Sequence, residues 1–175
     1  CGIKKVFLFF SIFIIWFFYA FSSSGEDYHE YLNIYNTSSF YDLSDKHIEI
    51  GYRMLNAFIK IFVPDAIFGL ILIKTLTLLL AFLTIYRLKD KISFSFSILA
   101  YTSILYLQSF DLLRIYLAFS ISFFSIPWLI NGKHKLLSVL ISSLAVAFHY
   151  SAISFLSVVI FIYLLEMLKK PKYIF

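Results

Sequence analysis

Charged side chains are scarce in this chain. They make up 14% of its 175 residues, against roughly a quarter in an ordinary soluble domain. With 61% hydrophobic residues and a mean hydropathy of +0.87, the composition excludes a water-soluble globular domain and points to lipid. A single cysteine, Cys1, excludes an internal disulfide framework and a multi-cysteine metal site. The sequence has no GxxxxGK[ST] phosphate loop, no HExxH and no GxSxG, so ATPase, zinc-protease and nucleophile-elbow readings lack support. The net charge of +5 suggests nucleic acid at first sight, but no basic stripe with RNA- or DNA-binding grammar occurs. The basic residues instead follow a topological pattern.

What is abundant is apolar sequence in long runs. Crossing a hydrocarbon core of about 30 Å takes about 20 apolar residues as helix. Val6–Phe21, Ala66–Tyr86, Ile92–Phe110 and Leu112–Ile130 are the first four candidate spans. Leu136–Leu168 is too long for one crossing, at about 50 Å of helix, and reads as a tight helical hairpin turning around His149. The chain is therefore expected to be an all-α, polytopic integral membrane protein, a single membrane domain over 1–175 with about six transmembrane helices. Six spans put both termini in the cytoplasm. The short inner segments then carry Lys4, Lys5, Arg87, Lys89, Lys91, Lys133, Lys135 and the C-terminal Lys169, Lys170 and Lys172. That is the positive-inside pattern, and a five-span arrangement would place the last three lysines outside. The first span also resembles a secretory signal, with a basic start and the small-residue run Ser22–Gly25. Sixteen apolar residues is long for such a signal, and Phe21 fits a cleavage site poorly, so retention is expected.

Residues 22–65 form the one long polar stretch, an outer loop rich in acid: Glu26, Asp27, Glu30, Asp42, Asp45, Glu49 and Asp65. In its second half Ile48, Tyr52, Leu55, Ile59 and Phe62 recur at helical spacing, with Glu49, Arg53, Asn56 and Lys60 on another face. This predicts an amphipathic helix in the outer headgroup zone, started by Ser44 and Asp45 and ended by Pro64. Glu49 and Arg53 read as a surface ion pair four residues apart. Tyr28, Tyr31 and Tyr35 also recur at helical spacing, beside Asp27 and Glu30. They read either as an aromatic belt at headgroup level or as rings that stack on sugar faces, with carboxylates accepting sugar hydroxyl protons. Asn36-Thr37-Ser38 matches a glycosylation sequon, a match frequent by chance.

Three ionisable residues stand at or near membrane depth, where desolvating an ion is expensive. Lys74, in the middle of the second span, could counter a buried carboxylate or an anionic lipid headgroup; otherwise it makes a structural pair inside the bundle. Arg114 is either the partner of Asp111 in a short turn or an anion clamp, since a guanidinium fork matches phosphate oxygens. His149, at the apex of the hairpin, is either a structural hydrogen-bonder or a group for proton transfer or phosphate contact. Arg114 and His149 fall on the same predicted side as the acidic loop. The inner loops are too short to hold a catalytic domain, so any chemistry belongs to the outer half of the bilayer.

Four short motifs occur in order along the chain: Gly25-Glu26-Asp27-Tyr28 with Tyr31, Glu49-Ile50-Gly51-Tyr52, Leu113-Arg114 with Ala118, and Phe148-His149-Tyr150-Ser151-Ala152. Together they resemble the EpsG-type, Wzy-like polysaccharide polymerases of bacterial exopolysaccharide, capsule and O-antigen assembly, over Gly25 to about Ile160. The resemblance implies a multi-pass glycosyltransferase of the cytoplasmic membrane. Such an enzyme joins oligosaccharide repeat units carried on polyprenyl diphosphate, at the outer face and alongside other polysaccharide-assembly proteins. It implies no metal or nucleotide cofactor, because the lipid diphosphate is itself the leaving group. On this reading Asp27, Glu49 and His149 are the candidate catalytic residues, and Arg114, Lys74, Tyr28, Tyr31 and Tyr52 the candidate substrate-binding ones. Arg114, with His149, would hold diphosphate, and Asp27 or Glu49 would orient or deprotonate the acceptor hydroxyl. Two departures stand out. Ser22, Ser23 and Ser24 occupy a stretch where family members often carry an arginine, and the chain is shorter than the family, so it reads as part of a longer member. The competing expectations are a transporter that moves an anionic lipid-linked saccharide unaltered, and a non-catalytic remnant or partner of the assembly system. Transport predicts ionisable groups along a through-path and inverted repeats, and no internal repeat is visible.

Overall fold

The computed structural model describes residues 2–23, 25, 27–41, 48–106, 108–131 and 134–169, and among them it is helical throughout, with no strand. The central element is α4 (Ala66–Arg87). Pro64 and Asp65 set its start: the Asp65 carboxylate accepts from the amides of Ile67 at 2.9 Å and Phe68 at 3.0 Å, satisfying two of the donors a helix leaves open at its N-terminus. Packed against it are α1 (Gly2–Phe21) and α6 (Leu113–Phe124), and, from the polar loop, α2 (Tyr28–Thr37) and α3 (Ile50–Phe62). Then come α5 (Phe94–Tyr101), ahead of α6, and α7 (Ile126–Asn131), α8 (Lys135–Val146) and α9 (Ala152–Lys169) after it.

Two helical segments are long and apolar enough to cross a membrane: Ala66–Arg87, with 22 residues, and Leu113–Asn131, with 19. The other four expected spans contain apolar helices of 10–17 residues: Val6–Phe21, Phe94–Ile104, Lys135–Val146 and Ala152–Leu165. Spanning length is thus shown for two of the six. The third expected span departs most from a simple rod. After α5 the chain widens into a π-helical stretch, Thr102–Tyr106, and then tightens into a 3₁₀ turn, Gln108–Phe110. Tyrosine hydroxyls tie this segment to its neighbours. Tyr19 donates to the Ser109 carbonyl at 3.2 Å, Tyr116 donates to Gln108 Oε1 at 2.5 Å, and Tyr106 reaches back to the Ile15 carbonyl at 2.7 Å. Those ties fasten the segment to α1 and α6, where a straight helix would leave the polar groups without partners. Between α6 and α7 the helix breaks at Ser125, two residues before Pro127, whose ring nitrogen cannot donate. Ser125 Oγ is shared with the Ser122 carbonyl at 2.7 Å and with Ser142 Oγ at 2.9 Å on α8.

The polar loop corrects a second expectation. Helix α3 exists and ends before Pro64, whereas its expected start at Ser44 and Asp45 lies outside the described residues. Its polar face turns inward, and so does most of the expected apolar face, with Tyr52 buried and Ile48, Leu55 and Ile59 packed against the core. Glu49, Arg53 and Asn56 are buried, while Ile50, Met54, Phe58 and Ile61 point outward. Glu49 and Arg53 therefore do not form the surface pair expected from their spacing. The physical reason is the solvent. Beside hydrocarbon an apolar stripe needs no protein cover, and the polar face must find partners inside the protein. Lys60 donates to the Asn36 carbonyl at 2.5 Å, and Tyr35 donates to the Val63 carbonyl at 2.5 Å, so α2 and α3 are strapped together.

Helices α8 and α9 pack on each other and on α6, joined through residues 147–151 around His149. The three helices meet at Ala118, Ala145 and Ala152, each fully buried. Small side chains here let the helices approach closely, which brings the start of α6 beside the hairpin turn. Ala118→Leu should overpack this contact and destabilise the fold by about 1–3 kcal/mol. The check is the thermal unfolding midpoint of the detergent-purified variant; a midpoint equal to that of the parent would refute the packing assignment.

A buried carboxylate between arginine and histidine

Three segments remote in sequence converge at one end of the bundle. Glu49 is the residue immediately before α3, Arg114 lies in the first turn of α6, and His149 lies in the turn between α8 and α9. Gly51 makes the first approach possible. Its amide donates to the Ala147 carbonyl at 2.8 Å, and a Cβ at this position would lie 2.6 Å from that oxygen. Only glycine lets the backbone come this close, so the start of α3 is pressed onto the hairpin turn and Glu49 faces His149. Gly25 has a comparable role at the neighbouring loop. It adopts φ +125°, and a Cβ there would lie 2.7 Å from Asp111 Oδ1. The loop ahead of α2 therefore lies directly against the residues that precede α6.

Glu49 is only 7% exposed, and its two oxygens face different cationic or donor groups. Oε2 accepts from Arg114 Nη1 at 3.2 Å, and Oε1 lies 3.6 Å from His149 Nε2. On its outer side Arg114 Nη2 lies 3.8 Å from Glu30 Oε1, on a side chain that is half exposed. His149 Nδ1 receives the Ser151 amide at 3.2 Å and lies 2.8 Å from Ser151 Oγ. An amide can only donate, so in the neutral ring Nδ1 is the acceptor and the proton sits on Nε2, toward Glu49. Burial favours that neutral form and lowers the His149 pKa. The Glu49 carboxylate opposes the shift and the Arg114 cation adds to it. The result is a carboxylate held in place by a guanidinium on one side and an imidazole N–H on the other.

Two tyrosines wall this group. Tyr31 donates to the Asp111 carbonyl at 3.1 Å, and its ring meets Tyr52 edge to face at 6.2 Å. Burial raises the Tyr31 phenol pKa, with the Arg114 charge opposing the shift. The Tyr52 phenol is fully enclosed and is raised chiefly by burial as well. Both hydroxyls therefore remain protonated near neutral pH.

Of the residues expected from sequence, the structure thus brings together Glu49, Arg114, His149, Tyr31 and Tyr52. Asp27 stands next to them at the N-cap position of α2, where its side chain makes no capping hydrogen bond. Lys74 and Tyr28 belong to a separate group. Buried Lys74 donates to the Ser22 carbonyl at 2.6 Å, just past the end of α1, with its ammonium 5.7 Å from the Tyr19 ring centroid and 5.6 Å from that of Tyr28. One carbonyl and two π-faces occupy the ammonium. The sequence offers Glu30 only as a carboxylate beside the tyrosines and Ser151 only within a motif, and neither is singled out there as a partner of Arg114 or His149; contact between segments decides both roles.

Replacing the buried carboxylate tests the arrangement. Glu49→Gln leaves Arg114 without its buried counter-charge and should destabilise the protein by about 3 kcal/mol or more, read as a lower unfolding midpoint. It also removes the group that opposes the effect of burial on His149. The ring should then titrate at lower pH than in the parent, followed by the nitrogen shifts of labelled histidine. An unchanged or higher titration midpoint would contradict the contact.

Comparison with known proteins places the chain in a family. The EpsG family model matches residues 5–175, a range that includes Glu49, Arg114 and His149. Neither curated proteins nor solved structures give a match to this chain. A family match over nearly the whole chain, on a helical bundle with two membrane-length segments, shows that the chain belongs to the EpsG family and is a membrane protein associated with polysaccharide biosynthesis.

Proposed function

We infer that the chain is a polymerase-type membrane glycosyltransferase. It joins oligosaccharide repeat units carried on polyprenyl diphosphate, at the outer face of a bacterial cytoplasmic membrane. The observation that carries this reading is the buried Glu49 carboxylate between Arg114 and His149, in a family associated with polysaccharide assembly. The reaction breaks the bond between the anomeric carbon of the growing chain and its diphosphate. It forms a bond from that carbon to the acceptor hydroxyl oxygen, whose proton passes to a base. Charge develops on the departing diphosphate, so a preorganised cation there lowers the barrier.

Arg114 supplies that cation. Its inner edge is fixed by buried Glu49, a pairing costly to break. Its outer edge faces half-exposed Glu30 at 3.8 Å, a pairing worth little in water. A diphosphate oxygen can therefore replace Glu30 without disturbing Glu49. Because Glu49 is committed to two donors, it is poorly suited to accept a proton from the acceptor sugar, and neutral His149 uses both ring nitrogens on Glu49 and Ser151. Both are positioning groups for Arg114. Asp27 makes no capping bond to its own helix and is the better base for the acceptor hydroxyl. Tyr31, buried and bonded to the Asp111 carbonyl, backs the wall between α2 and the start of α6.

In cells that depend on this protein, Arg114→Ala should reduce long-chain polymer about a hundredfold or more and leave single lipid-linked units accumulating at the outer face. Asp27→Asn should do the same, while Glu30→Gln should retain polymer. Full-length polymer from Arg114→Ala would refute the assignment, and lipid-linked units held at the inner face would replace it with transport.

A further inference from the structure

At the opposite end of the bundle a second group of cations lies close in sequence to residues that line an apolar cavity. The cavity, of about 440 Å³, is bounded by Ile85 on α4, Ile92 and Phe96 at the start of the next segment, Tyr116 and Phe123 on α6, and Phe155 on α9. Its walls are almost wholly hydrocarbon and aromatic, and its size suits one acyl chain. At one end lie Ile85, Ile92 and Phe123. These residues adjoin the turn that holds Arg87, Lys89 and Lys91, and Phe123 is the direct neighbour of Phe124.

Those cations are arranged, not merely present. The Arg87 guanidinium lies 4.8 Å from the Phe124 ring centroid and 4.3 Å from that of Trp128. Phe124 and Trp128 meet edge to face at 79°, so Arg87 sits in the corner between two aromatic rings, which holds its charge at this end of the bundle. Lys91 donates one of its three ammonium protons to Asn131 Oδ1 at 3.0 Å. Trp128 and Asn131 are three residues apart on α7, so Arg87 and Lys91 converge over one face of that short helix. Lys89 is held against the Tyr86 ring at 4.3 Å, and Asp90 is the one carboxylate in the turn. The turn is therefore net positive and exposed, and it is joined to the cavity through Ile85 and Ile92, which line it, and through Arg87 on Phe124, the neighbour of the lining residue Phe123.

We propose that this end of the bundle binds one anionic glycerophospholipid, with its phosphate on Arg87 and Lys91 and an acyl chain in the cavity between α5, α6 and α9. Charge complementarity selects the headgroup and the hydrocarbon walls select the chain. A free phosphate satisfies only the first, and a zwitterionic lipid satisfies mainly the second. The site is distinct from the Glu49–Arg114–His149 group, and it stands whether or not the polymerase reading holds.

The test uses the full chain purified in detergent, with phosphatidylglycerol, phosphatidylcholine of the same acyl chains, inorganic phosphate and a polyprenyl phosphate as separate additives. Phosphatidylglycerol should raise the unfolding midpoint by several degrees more than phosphatidylcholine, and native mass spectrometry should retain one molecule per chain. Phosphate alone should give no shift. In the Arg87→Gln/Lys91→Gln protein the preference for phosphatidylglycerol should disappear, judged as the difference between the two lipids within the same variant, so lower overall stability does not confuse the result. Ala100→Trp, which narrows the cavity, should reduce retention of both lipids. Equal stabilisation by the two lipids overturns the proposal, as does a preference that survives the double substitution, the same shift from phosphate alone, or polyprenyl phosphate displacing phosphatidylglycerol from the cavity.

Discussion

A carboxylate removed from water must find positive charge or hydrogen-bond donors, and this constraint organises the polar end of the molecule. Glu49 cannot be buried until Arg114 and His149 are beside it, since an unpaired buried ion costs several kcal/mol. Meeting that requirement fixes the start of α3 against the α8–α9 turn and the start of α6 against both. The small residues follow from it. Gly51 gives up a side chain so that its amide can reach Ala147, and Ala118, Ala145 and Ala152 keep the three helices near enough to hold Arg114 and His149 within reach of one carboxylate. The four short motifs are in this sense one device: each supplies either a group of the cluster or the small residue that permits its approach.

The same constraint explains what could be read from the sequence and what could not. Stretches of hydrophobic residues report where helices lie, because burial in lipid is additive along a chain, and each of the six expected regions contains an apolar helix. Their internal form was not legible. Nothing in Ile92–Phe110 announces a π-helical stretch, or that the turn after it is tied to other helices by the hydroxyls of Tyr19 on Ser109 and Tyr116 on Gln108. Helix α3 shows a different limit. Its periodicity was plain, but periodicity gives the direction of an apolar face relative to the helix and not what that face meets. Both faces read from the sequence turn inward, Glu49, Arg53 and Asn56 beside Tyr52, and a third face, Ile50, Met54, Phe58 and Ile61, points outward.

The site was half legible for a related reason. Glu49, Arg114 and His149 were singled out because ionisable groups are conspicuous in an apolar sequence, but their contact depends on three segments separated by 65 and 35 residues, which spacing cannot report. Lys74 was equally conspicuous and has a different environment. Its ammonium faces the Ser22 carbonyl and the rings of Tyr19 and Tyr28, so it pins the exit of α1 and the entry of α2 to the middle of α4. A cation so enclosed acts through geometry: it sets where the Asp27 loop begins, and it does so without a carboxylate partner among the described residues.

The balance of charge around Arg114 then limits how an anionic substrate can enter. Glu30 and Glu49 both face the guanidinium, and Asp27 stands near by, so any anion that approached Arg114 would meet carboxylates first. Entry must therefore be an exchange, in which the incoming oxygens take over donors that a carboxylate releases. Exposure decides which one is released. Glu49 is enclosed and bound on both oxygens, whereas Glu30 is half in water and can be resolvated as it leaves. An arrangement of this kind discriminates against weakly charged ligands, because only an anion that binds the guanidinium better than Glu30 gains by displacing it. The pairing across α2 and α6 is thus the weaker of the two that Arg114 makes, because water can take Glu30 back whereas nothing replaces Arg114 at buried Glu49.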